Sequence, residues 1–159
     1  MMTFETFKEK KSALPLALMG LLLLFSLRVF GQLLVAMGYA GCLPPMDQWQ
    51  SGLLPYPVLF ACQLALIGLF GKICLDIAGG AGFFAKKRLP FGEFLIKFSH
   101  IYYAAMFLRY AVQMYLHPQD RWFGHTIAIA FHIVLATYVL LLGYYNKMPT
   151  PRSEHQSAV

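Results

Sequence analysis

Charged residues are scarce in this chain of 159 residues, where Asp, Glu, Lys and Arg make up 13% of the sequence and hydrophobic residues make up 58%. Globular domains average about 25% charged residues. The composition therefore excludes an ordinary soluble domain and indicates a chain whose solvent is a lipid bilayer.

Long polar segments are also lacking, since four apolar stretches occupy most of the chain: about 13–38, 54–77, 95–116 and 124–145. A helix needs roughly 20 apolar residues to cross a bilayer, and each stretch meets that length. None shows the alternation of period two that a membrane β-strand requires. We predict an all-α integral membrane bundle of four transmembrane helices, a single domain over 1–147, followed by a disordered polar cytoplasmic tail over 148–159.

Proline and glycine mark the ends of these stretches. Pro15 falls in the expected first turn of the first helix, where its missing N–H costs little. Pro55 precedes the second helix, which is expected to stop at Gly79 and Gly80. The third helix is expected to end before Pro118, because the residue preceding a proline is disfavoured in helical geometry.

Basic residues are distributed unevenly between the two ends of the predicted helices. If the N-terminus is cytoplasmic, the opposite side of the membrane carries Arg121 alone. The cytoplasmic side then carries nine basic residues: Lys8, Lys10, Lys11, Lys86, Lys87, Arg88, Lys97, Lys147 and Arg152. The positive-inside rule therefore places both termini in the cytoplasm, and the expected location is a bacterial inner (cytoplasmic) membrane. These scattered charges form no groove for nucleic acid, so membrane lipids are the expected partners.

An acidic residue at membrane depth is missing, yet Arg28 and Arg109 both lie well inside apolar stretches. An arginine keeps its charge in a protein, so each needs a partner, a ligand or a water-filled cavity. Counted at about 1.5 Å per residue from the outer helix ends, all four stretches place one polar residue within a slab ~5 Å thick. The four residues are Arg28, Gln63, Arg109 and His132. Gln32 and Gln113 lie one helical turn above the two arginines, and the predicted site for a ligand or partner comprises all six residues.

Three interpretations of this polar cluster stay open. The first is a site for an anionic or carbonyl-bearing ligand, such as a quinone head, a lipid phosphate, a carboxylate or a heme propionate. The second is packing, in which backbone carbonyls, amides, Tyr hydroxyls or a carboxylate of another subunit satisfy the arginines. The third is that the arginine side chains lie on the lipid-facing surface and extend towards the outer headgroups.

Metal and disulfide motifs are absent from the sequence: it contains no CxxC, HxH or HxxxH. Cys62 and Cys74 are expected to serve in packing. A weaker metal hypothesis rests on three histidines in or near the last predicted loop: His117, His125 and His132. His100 and His132 are expected at different depths in the membrane, so the two cannot ligate one heme. The remaining heme hypothesis is a heme shared with another subunit.

No catalytic motif accompanies these features, so an enzyme is the less favoured alternative. We expect a non-catalytic subunit or accessory factor of a larger membrane complex, with other membrane protein subunits as partners. The first alternative is a quinone- or heme-associated electron-transfer subunit, and the second is a small transporter or metal-handling protein. The sequence requires no cofactor, and it is compatible with quinone, lipid or heme.

Overall fold

The structure of the protein is a computed structural model that describes residues 4–39, 41–49, 54–116 and 126–148. Within these ranges the chain is all-α, with four long helices and one short helix. Their bounds are α1 Phe4–Ala36, α2 Met46–Trp49, α3 Tyr56–Gly79, α4 Leu89–Leu116 and α5 Thr126–Lys147. The tail was predicted at 148–159, and all of it beyond residue 148 lies outside the described residues.

Three of the long helices are long and apolar enough to cross a membrane, over residues 13–36, 56–79 and 127–147. This finding makes the chain a helical membrane protein and agrees with three of the four predicted stretches to within three residues. Helix α4 has the required length, but tyrosine, His100, Arg109 and Gln113 leave it less apolar than the other three. The third predicted stretch, at 95–116, is the last part of this longer helix.

The position of Pro15 was predicted wrongly. Helix α1 begins at Phe4, so Pro15 lies in the interior of the helix rather than in its first turn. The residues from 4 to 12 include Glu and Lys, which are good helix formers, and the helix extends through them. The ring of Pro15 removes one backbone hydrogen bond from the interior of α1.

Helix α1 packs against both α3 and α5, and α4 packs against α5. Successive long helices alternate in direction, so both described chain ends lie on one side of the molecule. We name this the termini side, and the opposite side, where α1 ends and α2 lies, the α2 side. Within the described ranges, α4 makes no close backbone approach to α1 or α3. The helix therefore flanks α5 and does not close a symmetric bundle.

The hydrophobic core lies towards the termini side of α1, α3 and α5. The Tyr138 ring stacks on the Phe70 ring with centroids 4.0 Å apart, and the Tyr138 hydroxyl donates to the Phe70 carbonyl at 2.9 Å. Cys74 Sγ lies 3.3 Å from the same hydroxyl, which confirms a packing role for this cysteine. The buried cluster consists of Leu18, Phe70, Ile73, Cys74, Ile77, Leu95, Tyr138 and Leu142.

Helices α4 and α5 approach closely where two glycines face each other. A Cβ atom added at Gly143 would lie 3.1 Å from the Gly92 carbonyl oxygen, and one added at Gly92 would lie 2.9 Å from the Gly143 carbonyl oxygen. Two turns further along the interface, the Ser99 hydroxyl donates to the Ala136 carbonyl at 2.7 Å. Small residues and interhelical hydrogen bonds are the usual means by which membrane helices associate.

The connection between α3 and α4 is fastened at the termini side. Lys72 Nζ lies 3.3 Å from Asp76 Oδ1, and the Phe84 N–H donates to the same carboxylate at 3.2 Å. Tyr145 donates to the Ala85 carbonyl at 2.9 Å, which ties the connection to α5. This end of the molecule is therefore held by polar contacts as well as by the core.

Candidate functional site

Arg28 lies inside the protein, with 8% of its surface exposed. Its guanidinium donates from Nη1 to Gln32 Oε1 at 3.1 Å and from Nη2 to the Trp49 carbonyl at 2.5 Å. It also lies over the Phe131 ring, 5.3 Å from the centroid. These partners are neutral, so among the side chains that the structure describes no carboxylate contacts Arg28.

Two glutamines connect Arg28 on α1 to α3. Gln63 Nε2 donates to Gln32 Oε1 at 3.0 Å, and the same oxygen accepts the hydrogen bond from Arg28. Gln32 is fully buried and Gln63 is 4% exposed. The structure thus brings together three of the six residues predicted for the site in one hydrogen-bonded cluster.

The short helix α2 contributes a partner that the sequence did not predict. Trp49 lies against Gly31 of α1, where an added Cβ would be 3.1 Å from the indole ring. Trp49 Nε1 donates to the Pro44 carbonyl at 2.8 Å, and this bond helps to fix the position of the residue. A four-residue helix has no periodicity to reveal it in the sequence, and Trp49 alone resembles an ordinary interface tryptophan.

A cavity of about 120 Å³ adjoins this cluster. One face of α3 lines it with Leu59, Cys62, Gln63 and Leu66, and one face of α5 lines it with Ala128, Phe131, His132 and Leu135. Both sets follow the spacing i, i+3, i+4, i+7 of a single helix face. The remaining walls are Phe25 and Arg28 from α1 and Trp49 from α2. Cys62, which was expected to be a packing residue, is exposed and lies at the rim of the cavity.

Several buried polar atoms in this region have no hydrogen-bond partner within the part of the chain that the structure describes. They are Arg28 Nε, Gln32 Nε2, Gln63 Oε1 and Tyr56 Oη. A buried polar group without a partner costs about 1–3 kcal/mol. Native proteins satisfy nearly all such groups, and several unsatisfied groups beside one cavity indicate a place where a polar ligand or water completes the bonds.

His132 connects the cavity to α4. Its Nδ1 atom lies 2.6 Å from the Tyr102 hydroxyl, while the neighbouring Tyr103 hydroxyl bonds to Thr137 Oγ1 at 2.6 Å. Tyr102 and Tyr103 thus direct this part of α4 towards α5, and Tyr102 contacts the site through His132.

The six predicted residues therefore divide into two groups. Arg28, Gln63 and His132 line the cavity and Gln32 lies directly behind them, whereas Arg109 and Gln113 are half-buried on α4 and do not line it.

The metal hypothesis rested largely on His117 and His125, which lie outside the described residues. Within the described ranges, no group of three or more His, Cys, Asp or Glu side chains is placed to hold a metal ion. His132 is described, and its partner is Tyr102 rather than another metal-binding side chain.

No protein family matches the chain, and no curated protein or solved structure is significantly similar to it.

Proposed function

We propose that this membrane protein binds a lipid-soluble molecule through an oxygen-bearing head group, with Arg28 as the principal donor. The observation that carries the proposal is a buried guanidinium beside a cavity, whose hydrogen-bond partners in the described part of the chain are neutral. A charged donor in a medium of low dielectric attracts a carbonyl or an anionic oxygen more strongly than it would in water. Bonds of this kind are also shorter and stronger than those between neutral groups.

The chemistry of the cavity supports a ligand with an apolar body. Phe25, Leu59, Leu66 and Leu135 form most of its wall, and polar groups are few. Binding sites for small molecules commonly combine an apolar lining with a few polar groups that fix the orientation of the ligand. A small hydrated ion would gain little from such walls, whereas an amphiphile would use both parts.

The route of entry in this proposal is the gap between α3 and α5. These two helices face each other across the cavity, yet within the described ranges their backbones do not approach closely, and α1 packs against both. The gap is filled at the termini side by the stacked rings of Phe70 and Tyr138. Beside the cavity, exposed Cys62 marks a lateral opening towards the bilayer.

The experiment measures binding through Trp49, which lines the cavity. The sequence contains two tryptophans, so a Trp122→Phe background leaves Trp49 as the only one. The purified protein in nanodiscs is titrated with tetramethyl-1,4-benzoquinone, which carries carbonyls, and with decanoate, which carries a carboxylate. We expect at least one of them to change the Trp49 emission in a saturable manner.

Arg28→Met should weaken that binding about tenfold to hundredfold, because a hydrogen bond to a charged group contributes about 1.5–3 kcal/mol. Arg28→Lys keeps the charge and should lose less. Lys72→Met is the matched control, since it removes a cation that is 59% exposed and does not line the cavity. Absence of saturable binding for both probes, or equal binding by Arg28→Met, would overturn the proposal.

We also infer a fourth span and the sidedness of the chain. Helix α4 runs alongside α5 from Gly92 opposite Gly143 to Tyr102 opposite His132, so it shares the depth of a candidate span. Its outward residues are apolar and exposed, among them Phe94, Ile101 and Phe107. Four spans place both termini on one side, and the basic residues favour the cytoplasmic side of an inner membrane.

Membership in a larger complex is a second candidate function, favoured by Arg109. Among the described residues, Arg109 has no hydrogen-bond or ion-pair partner, and it lies half-buried on the flanking helix α4. A carboxylate of a neighbouring subunit is a suitable partner for such a group. Extraction in a mild detergent should then yield a particle much larger than 18.0 kDa. A monodisperse and stable monomer would contradict this candidate.

A further inference from the structure

We infer that the ligand head is a planar ring with oxygen acceptors at opposite edges, that is, a quinone. This inference rests on the proposed function and adds the class of the ligand. Arg28 would donate to one oxygen, and His132 would donate to the other. Tyr102 is the positioning residue that orients His132.

The polar groups that line the cavity are divided between separate walls. Arg28 is on α1 and Gln63 is on α3, and the cluster through Gln32 holds them together. His132 is on α5, which faces α3 across the cavity, and it takes no part in that cluster. Apolar side chains, including Phe25 and Leu66, form the walls between. A ligand with two separated oxygens and an apolar middle matches this arrangement.

Tyr102 determines which nitrogen of His132 is available to a ligand. Its hydroxyl bonds to Nδ1 at 2.6 Å, which leaves Nε2 as the second polar atom of the ring. When the hydroxyl donates to Nδ1, the neutral imidazole carries its proton on Nε2 and donates from there. His132 then presents a hydrogen-bond donor, which is what a second carbonyl oxygen requires.

The dimensions of the cavity agree with a single six-membered ring. Its volume is about 120 Å³. An apolar cavity of roughly 150 Å³ accepts benzene in another protein, so this smaller space can take a six-membered ring whose substituents extend through the opening beside Cys62. The lateral opening at Cys62 gives the hydrocarbon tail of a membrane quinone a path into the bilayer.

A phosphate or carboxylate head fits the same walls less well. Anionic head groups are usually held by several cationic or bidentate donors. Arg28 is the only Lys or Arg that lines this cavity within the described residues. A lipid anion is therefore an outcome of the test rather than the proposal.

The test compares two ring probes that differ in one oxygen. Tetramethyl-1,4-benzoquinone has two carbonyls, and its full substitution prevents addition to the Cys62 thiol. Hexamethyl-2,5-cyclohexadienone has a similar ring with one carbonyl. In the Trp122→Phe background, the wild-type site should bind the quinone about threefold to tenfold more tightly than the dienone, the effect of one hydrogen bond.

His132→Leu and Tyr102→Phe should reduce that ratio to about one. The ratio is a suitable measure because general damage to the fold weakens both probes equally. Tyr103→Phe is the matched control: it removes the neighbouring hydrogen bond to Thr137 and should preserve the ratio.

The outcomes separate this inference from the proposed function. Arg28-dependent binding of decanoate without quinone binding would overturn the quinone and leave the proposed function standing. Quinone binding with a ratio that His132→Leu does not change would overturn the role of His132. Absence of saturable binding for quinone, dienone and decanoate would overturn both.

Discussion

Gly143→Ala tests whether α4 is held against α5 by close backbone contact. The added Cβ would lie 2.7 Å from Ile96 Cγ1, 3.1 Å from the Gly92 carbonyl oxygen and 3.1 Å from the Ile96 backbone nitrogen. Carbon atoms prefer a separation of about 3.5–4.0 Å. The overlap with Ile96 Cγ1 is therefore roughly 1 Å. A rotation of the Ile96 side chain can relieve that contact, but the two backbone contacts are relieved only if the helices separate.

The expected free energy follows from two opposing effects. Alanine is favoured over glycine in a helix by about 1 kcal/mol. Forcing an extra carbon into a well-packed contact costs about 1–3 kcal/mol. Because backbone atoms of α4 limit the relaxation, we place the cost near the upper end. The net destabilisation is about 2 kcal/mol, a roughly 30-fold change in the folded-to-unfolded ratio.

The assay is reversible unfolding in mixed micelles of dodecyl maltoside and SDS, followed by circular dichroism. Gly68→Ala is the matched control, since a Cβ at Gly68 of α3 would meet nothing within 4 Å. This control should leave the free energy of unfolding unchanged or raise it by up to about 1 kcal/mol. If Gly143→Ala proves as stable as Gly68→Ala, the close α4–α5 contact does not hold the helices together.

Two further predictions concern the core and the topology. Tyr138→Phe removes the hydroxyl that donates to the Phe70 carbonyl and should lower the free energy of unfolding by about 1 kcal/mol. Tyr144 is exposed, so Tyr144→Phe should not lower it. Equal effects of the two substitutions would contradict a role for the Tyr138 hydrogen bond. Reporter domains fused at the two termini should lie on the same side of the membrane if α4 spans it, and reporters on opposite sides would limit the chain to the three candidate spans.

The sequence predicted the long helices well because apolar length is a property of the chain alone. The bounds of α3 and α5 agree with the prediction to about two residues, and the i, i+4 spacing of Arg28 and Gln32 placed them on one helix face, where they bond. The depth count also predicted that Gln63 lies level with Arg28, and Gln63 bonds to Gln32 in the same cluster. Depth and periodicity are both countable before any tertiary structure is known.

Other parts of the site depend on tertiary contacts that no local pattern encodes. The depth count put Arg109 in the same slab as Arg28, but it says nothing about the lateral position of a helix, and α4 flanks α5 away from the cavity. The bond between Tyr102 and His132 arises from that lateral packing. Trp49 is held near Arg28 because its indole donates to the Pro44 carbonyl and packs against Gly31 of α1.

The packed rings of Phe70 and Tyr138 have a consequence for exchange across the membrane. Together with Leu18 and Ile73 they fill the space between α1, α3 and α5 on the termini side of Gln63. The α3 segment from Gln63 to Ile77 is about 21 Å long at 1.5 Å per residue, and its buried residues beyond Gln63 are Phe70, Ile73, Cys74 and Ile77. In this conformation the core closes the termini side of the molecule. A molecule bound at Arg28, as proposed, would therefore exchange with the bilayer or with the α2 side, and not with the compartment at the termini side.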